Sequence, residues 1–119
     1  QMLLDGGRCN GRQILRAETI QRATMEVGPH VFDRTIGIPL RFSQGFMLGG
    51  EPFGLFGSRS HNAYGHIGLV NNVTWADPER AISVALLVSG IPLLAGNIGA
   101  LIRLMARISS ACPRSSLSA

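Results

Sequence analysis

The stretch that decides the fold runs from Ala63 to Ser89, AYGHIGLVNNVTWADPERAISVALLVS. Near its middle, Asp77-Pro78-Glu79-Arg80 has Asp and Pro at the first two positions of a type I turn. We therefore predict strands at residues 61–70 and 72–76 before this turn. A third strand, with the most regular alternation in the chain, is predicted at Ala81–Ser89 (AISVALLVS).

The third strand has large side chains on one face and small side chains on the other. Ile82, Val84 and Leu86 alternate with Ser83 and Ala85 at a period of two residues. A face of small residues suits a helix that packs closely against it. Residues 97–108 predict such a helix, with its apolar residues along one side. We therefore expect this C-terminal helix to cover the small-residue face.

Upstream of these strands, the pattern predicts a helix at residues 17–26 and a strand at residues 40–48. Residues 30–39 and 49–62 are predicted to be loops. The opening residues, 1–7, are typical of the last turn of a helix followed by a glycine cap. We therefore expect the chain to be the C-terminal piece of a longer protein, and its N-terminus shows no signal peptide from which a compartment could be assigned.

Composition and charge exclude several classes of protein. Of the 119 residues, 45% are hydrophobic and 15% are charged, which is typical of a globular domain. The net charge of +4 comes from arginines, because the chain contains no lysine, and those arginines are scattered. A nucleic-acid interface concentrates its basic residues on one patch or helix, so we predict no nucleic-acid partner. Cys9 and Cys112 form no metal-binding spacing, and a disulfide between them and two free thiols both remain open.

A membrane span is the alternative interpretation of residues 81–102, which carry no charged side chain and are long enough to cross a bilayer. However, Gly90-Ile91-Pro92 interrupts this run, and its first half alternates with period two. The pattern favours a strand, a turn and a helix over a span.

His66 lies between two glycines in AYGHIGLVNN, and three interpretations of it are open. A metal site is disfavoured because His30, His61 and His66 have no ligand-like spacing, so we predict no metal and no cofactor. The glycines could simply form a tight turn. Glycine in a strand also marks a close approach of a ligand, and an edge strand has free backbone N–H groups that can stabilise an oxyanion.

The order of these motifs resembles the C-terminal part of the serine beta-lactamase-like family, which includes class C beta-lactamases, DD-peptidases and esterases. YGHIG is similar to the family's K-T-G or H-x-G strand, and WADPER with the following strand and helix is similar to what comes next. Upstream, MLLDGG, GRQILRAETIQRAT and RFSQGFMLGG resemble further family segments. The resemblance implies an α+β fold in which antiparallel strands are covered by the C-terminal helix. It assigns residues 1–112 to this partial domain and 113–119 to a flexible tail.

Carried over to this chain, the resemblance implies one wall of a hydrolase active site. His66 takes the position of the family's lysine or histidine, and the backbone N–H of Leu69 takes that of an oxyanion donor. Ile67 and Gly68 take substrate-binding positions. The implied substrate is a small-molecule ester or amide.

Two departures from the family pattern refine this expectation. Ile67 replaces the hydroxyl residue that often binds a beta-lactam carboxylate, and Val70-Asn71-Asn72 replaces the usual glycines, which favours a carboxylic ester hydrolase. Without lysine the chain contains no S-x-x-K, so nucleophile and base are expected upstream and these residues alone are expected to be inactive. A non-catalytic or truncated member, and a beta-lactamase or DD-peptidase, are the alternatives.

Overall fold

The computed structural model describes residues 1–34, 37–68, 72–89 and 98–115. The strands of this part of the chain are β1 (Arg8–Cys9), β2 (Arg12–Gln13), β3 (Val31–Asp33), β4 (Ile38–Phe42), β5 (Met47–Leu48), β6 (Phe53–Gly54), β7 (Gly57–Ser58), β8 (Tyr64–Ile67), β9 (Val73–Asp77) and β10 (Ile82–Leu86). Its helices are α1 (Ala17–Thr24) and α2 (Ile98–Ala111). Six strands form one sheet in the order β10-β9-β8-β5-β4-β3, and every neighbouring pair is antiparallel.

The three strands predicted between residues 61 and 89 are present as β8, β9 and β10. The predicted turn joins β9 to β10, and the Asp77 side chain stabilises it. Its Oδ1 accepts the backbone N–H groups of Glu79 at 3.0 Å and Arg80 at 3.3 Å. An Asp at the first turn position is favoured because its carboxylate accepts such bonds.

Helix α2 covers the face of the sheet that carries the large side chains, so the expectation that it covers the small-residue face is wrong. Val84 and Leu86 of β10 pack with the core that contains Leu101 and Met105 of α2. The large apolar side chains gain most from leaving water, and they therefore determine which face the helix covers. We call this face the helix face. The opposite face, which we call the open face, carries Tyr64, His66, Thr74, Ala76, Ser83 and Ala85.

Between residues 30 and 62 the chain is more regular than its sequence predicts. The predicted strand at residues 40–48 is two strands, because Ser43 turns the chain between β4 and β5. The Ser43 Oγ accepts the N–H groups of Gly45 at 3.3 Å and Phe46 at 3.0 Å. The two predicted loops contain β3, the first residues of β4 and the small hairpin β6–β7.

The hairpin β6–β7 lies against the C-terminal half of α2. Gly57 has a φ of +113°, and a Cβ at this position would lie 2.9 Å from the Ser109 Cβ. Only glycine allows both this backbone conformation and this close approach. The Ser109 hydroxyl donates to the Phe56 carbonyl at 2.5 Å, and the Phe56 ring stacks on Trp75 with 5.9 Å between ring centroids. The hairpin thereby connects the helix to the sheet.

A buried ion pair joins the same three elements. Arg80 and Asp77 approach to 2.6 Å, with 5% and 1% of their side chains exposed. The Arg80 guanidinium also donates to the carbonyls of Ser109 at 2.8 Å, Ser58 at 3.0 Å and Arg59 at 3.2 Å. The β9–β10 turn, the end of α2 and β7 are therefore held by one side chain.

The first residues of the chain form a helix-like turn, as predicted. The Asp5 N–H donates to the Gln1 carbonyl at 3.1 Å and the Gly7 N–H to the Met2 carbonyl at 2.9 Å. Leu3 and Leu4 pack from this turn onto a second, smaller apolar cluster of Leu48, Tyr64 and Ala76.

At the other end, Arg114 forms an ion pair with Glu79 at 2.6 Å, and Ser115 bonds to the Glu79 carbonyl. Residues 116–119 lie outside the described residues, and the boundary proposed at residue 112 stays a prediction.

Two further expectations concern cysteines and membranes. Cys9 and Cys112 are both free thiols. No helix among residues 1–34, 37–68, 72–89 and 98–115 is long and apolar enough to cross a membrane. The strand β10 and the helix α2 stand at the two ends of the apolar run at 81–102, and residues 90–97 between them lie outside the described part.

Candidate active site

Strand β8 presents the predicted histidine on the open face of the sheet. The His66 side chain is exposed, whereas Ile67 is 6% exposed and packs in the core beside Val73 on the helix face. Successive side chains of a strand point to opposite faces, so with Ile67 in the core His66 lies on the open face. Among the described residues, the imidazole has no hydrogen-bond or ion-pair partner.

Among the described strands, the second half of β8 is paired with a neighbouring strand on one side only. β5 ends at Met47, opposite Gly65, so His66 and Ile67 are paired with β9 but not with β5. The Gly68 N–H donates to the Asn72 carbonyl at 2.8 Å, towards β9. Because the N–H groups of a strand alternate in direction, the Ile67 N–H points away from β9, into the gap beyond β5. At this end of β8, the Ile67 N–H has no ladder partner among the described strands, and the predicted oxyanion edge, with its donor at Leu69, stays a prediction.

The two glycines that flank His66 have different surroundings. A Cβ at Gly65 would lie 2.1 Å from the Thr74 carbonyl oxygen and 2.6 Å from the Trp75 Cα. Gly65 is therefore needed for close contact between β8 and β9. Among the described residues, a Cβ at Gly68 would meet only the Asn72 carbonyl oxygen, at 3.4 Å, which is an ordinary contact. Neither glycine has a positive φ, so neither is required by a tight turn.

A shallow groove of about 360 Å³ lies on the open face beside the histidine. Its floor is formed by small residues of β9 and β10, namely Thr74, Ala76, Ser83 and Ala85. Phe46, Tyr64 and the turn at the N-terminus form its wall, where the Ser83 hydroxyl donates to the Gln1 side-chain oxygen at 3.2 Å. His66 is the cross-strand neighbour of Thr74, so it stands at the edge of this groove.

A second polar cluster surrounds Arg41 of β4, next to a groove of about 440 Å³. Arg41 forms an ion pair with Glu26 at 2.7 Å and donates to the carbonyls of Gly49 and His61. The Arg41 hydrogen bond is the main cause of the lowered pKa of Glu26; burial acts in the opposite direction, and the charges of Arg41, His30 and His61 lower the pKa further. Both terminal nitrogens of Arg41 are engaged by these partners, and the Glu26 carboxylate is already its counter-ion.

Tyr64 separates the two grooves and lines both of them. Its ring packs on Phe46 at 5.4 Å between centroids. Burial raises the pKa of the Tyr64 hydroxyl, so this group stays neutral at physiological pH.

The structure brings His66, Ile67 and Gly68 together at the free end of β8, but on different faces. The side chain of Ile67 is in the core, so the group that it can present to a ligand is its backbone. Leu69, the predicted oxyanion donor, lies with residues 70 and 71 outside the described residues, and its role stays a prediction. In the described part of the chain, no group of three or more His, Cys, Asp or Glu side chains could hold a metal ion.

Sequence reasoning did not single out Thr74, the residue opposite His66. The sequence nevertheless indicates where its side chain lies. Thr74 stands between the apolar residues Val73 and Trp75, so a period of two residues places it on the polar face of β9. The pairing of Thr74 with His66 could not be derived, because it depends on the length of the turn between β8 and β9.

A comparison with known proteins finds a relative by sequence similarity. The chain is 30% identical over 84 residues to Esterase/beta-lactamase LipL of Mycobacterium tuberculosis, which is 71% of this chain and 18% of that protein. No protein-family model matches the chain.

Two solved structures have the same architecture. A penicillin-binding protein homologue from Caulobacter crescentus matches 92% of this chain with a TM-score of 0.66 and 23% identity. A family VIII carboxylesterase matches 90% with a TM-score of 0.63 and 23% identity. The chain spans only 29% and 28% of their lengths. These likenesses confirm the predicted fold, an antiparallel sheet with a C-terminal helix.

Proposed function

Because the chain belongs to the serine beta-lactamase-like family, we propose that it forms one wall of the active site of a carboxylic ester hydrolase. The nucleophilic serine and its lysine base then lie in sequence outside these 119 residues, since the chain contains no lysine. The substrate is a small molecule, in keeping with the esterase and carboxylesterase names of the similar proteins.

The proposed reaction proceeds in two steps through an acyl-enzyme. The serine Oγ attacks the ester carbonyl carbon, and the C–O bond to the alcohol breaks as the tetrahedral oxyanion collapses. The alcohol leaves with the proton that the serine gave up. Water then attacks the acyl-enzyme, releasing the carboxylic acid and restoring the serine.

In this reaction His66 assists proton transfer beside the serine, and the Leu69 N–H holds the oxyanion. A positioned general acid or base contributes about 10²–10⁴-fold to a rate, and loss of one oxyanion donor costs about 10²–10³-fold. Gly68 leaves the strand accessible to the acyl group. The Ile67 side chain takes no part, because it is buried in the core.

The observation that carries the proposal is the free end of β8. Among the described residues, the exposed imidazole has no partner, and the N–H of the next residue, Ile67, has no ladder partner in β5.

The charges of the site favour a neutral ester over a beta-lactam with its carboxylate. Position 67 offers no hydroxyl, since it is an isoleucine that faces the core. Arg41 is the arginine of the central strands β4, β5, β8 and β9, and it is committed to Glu26 and two carbonyls. An anionic substrate would therefore meet no free cation among the described residues of these strands.

The test is turnover of p-nitrophenyl butyrate and of nitrocefin by the polypeptide of the complete reading frame. We expect ester turnover, a serine adduct with a fluorophosphonate probe, and a kcat lowered by about 10²-fold or more in His66→Ala. His30→Ala is the matched control, because His30 is an exposed histidine that lies outside β8 and contacts Glu26. The proposal would be refuted if the complete reading frame contained no S-x-x-K. It would also be refuted if the His66→Ala variant retained the wild-type rate. Absence of both turnover and adduct would support the non-catalytic alternative.

A further inference from the structure

Three neighbouring strands place His66, Thr74 and Ala85 in one row on the open face. Thr74 is the cross-strand neighbour of His66 in the β8–β9 ladder, and Ala85 is that of Thr74 in the β9–β10 ladder. All three side chains are exposed. Because neighbouring strands lie about 4.8 Å apart, the row extends about 10 Å from β8 to the outer strand β10. Thr74 and Ala85 belong to the floor of the groove of about 360 Å³, so this groove extends from beside the imidazole to β10.

The groove over this row has the size and chemistry of a site for a short apolar chain. Its volume of about 360 Å³ is near the lower end of the range of about 300–1,000 Å³ found for small-molecule pockets. Leu3, Phe46 and Tyr64 offer apolar surface beside the small floor residues, and none of the described residues that line the groove is Asp, Glu, Lys, Arg or His. A charged group would lose water here without gaining a counter-ion, so the groove favours an uncharged occupant.

The two sides of His66 differ in what they offer an ester. On one side lies the groove over Thr74, and on the other lies the end of β8 that has no ladder partner in β5. In the proposed reaction the alcohol leaves after the first step, whereas the acyl group stays attached to the serine until water attacks it. The acyl group is therefore the part that has to be held through both steps. The groove, with its wall of Phe46 and Tyr64, is the side that can hold it.

We infer that the groove binds the acyl chain of the ester, which runs from His66 across Thr74 and Ala85 towards β10. This assignment rests on the proposed function and adds its substrate class, namely esters of uncharged, short aliphatic acids. Ala85 sets the length of chain that fits, because its methyl group forms the floor at the end of the row and a larger side chain would fill the groove there.

The experiment compares p-nitrophenyl acetate and p-nitrophenyl hexanoate as substrates of the polypeptide of the complete reading frame. A methylene group in an apolar pocket changes kcat/KM by about tenfold, so the ratio of kcat/KM for hexanoate to that for acetate should fall by about tenfold in Ala85→Leu. Ala85→Ser keeps the side chain small and should keep the wild-type ratio. Ala111→Leu is the matched control, because it adds the same side chain at an exposed alanine at the end of α2.

An unchanged ratio in Ala85→Leu would overturn the inference. An equal loss with both esters would also overturn it, since the groove would then hold another part of the polypeptide and not the acyl chain. A loss with hexyl acetate in place of p-nitrophenyl hexanoate would put the alcohol in the groove and have the same consequence. Absence of turnover of every ester by the wild type would refute the proposed function itself, whereas the other three results refute this inference alone.

Discussion

Replacement of Arg80 by methionine should be among the most damaging single changes in this chain. Methionine keeps much of the aliphatic stem but removes the guanidinium, which leaves the Asp77 carboxylate in the protein interior without its counter-ion. Asp77 is 0% exposed, and the arginine joins it at 2.6 Å. Breaking a buried ion pair by removing one partner typically costs about 3–5 kcal/mol, because an uncompensated charge remains. The carbonyls of Ser58, Arg59 and Ser109 lose their donors as well.

A domain of this size is stable by about 5–15 kcal/mol, so the expected loss is about a fifth of the total or more. With a urea m-value of about 2 kcal/mol/M, the unfolding midpoint should fall by about 2 M. The assay is urea unfolding followed by fluorescence of Trp75, the single tryptophan, which is 3% exposed and stacked on Phe56.

A double-mutant cycle separates the charge effect from lost packing. Asp77→Asn keeps an oxygen that can accept the N–H groups of Glu79 and Arg80 while removing the charge. The double variant Asp77→Asn, Arg80→Met should therefore be less destabilised than the sum of the single variants, by about 2 kcal/mol. If Arg80→Met lost less than about 1 kcal/mol of unfolding free energy, or if the two effects were additive, the result would refute the conclusion that Arg80 holds the β9–β10 turn, α2 and β7 together.

Two further predictions concern the strands and the Arg41 cluster. Gly65→Ala should destabilise the chain by about 1–3 kcal/mol, since its Cβ would overlap the β9 backbone, whereas Gly68→Ala should change the same urea midpoint little; equal effects would contradict the assigned packing. Because the folded pKa of Glu26 is lowered, its contribution to stability is present above the ordinary glutamate pKa of about 4.3 and is lost as the pH falls through the folded value. Glu26→Gln should therefore reduce the loss of thermal stability between pH 6 and pH 3, measured by circular dichroism, and an unchanged pH dependence would argue against the Arg41–Glu26 bond.

The elements that could be predicted from the sequence are those with a strong local signal. The alternation of β10, the Asp-Pro turn before it and the apolar stripe of α2 each lie within a few residues, and each is present. The division of residues 40–48 into β4 and β5 was missed because the apolar residues continue through the turn. Only the Ser43 hydroxyl, which caps Gly45 and Phe46, reveals it.

What could not be predicted depends on contacts between distant segments. The choice of sheet face by α2 is decided by where Val84 and Leu86 find the larger apolar area, and strand periodicity alone does not contain that information. The hydrogen bonds of Arg80 join residues that lie 21 to 29 positions apart in the sequence. At the candidate site, the exposed side chain of His66 follows from period two, but its pairing with Thr74 follows from the connection between β8 and β9.

The close packing of Gly65 against Trp75 limits which insertions β8 can accept without losing the candidate site. Alternate residues of a strand face opposite ways, so a slip of β8 by one position against β9 would bury His66 and expose Ile67. Such a slip would also bring a residue with a side chain to the place where a Cβ lies 2.1 Å from the Thr74 carbonyl oxygen. The first glycine of the motif therefore fixes the register of β8 against β9 by its small size. A one-residue insertion just before His66 would turn the histidine away from the open face, even though every residue of the motif is kept.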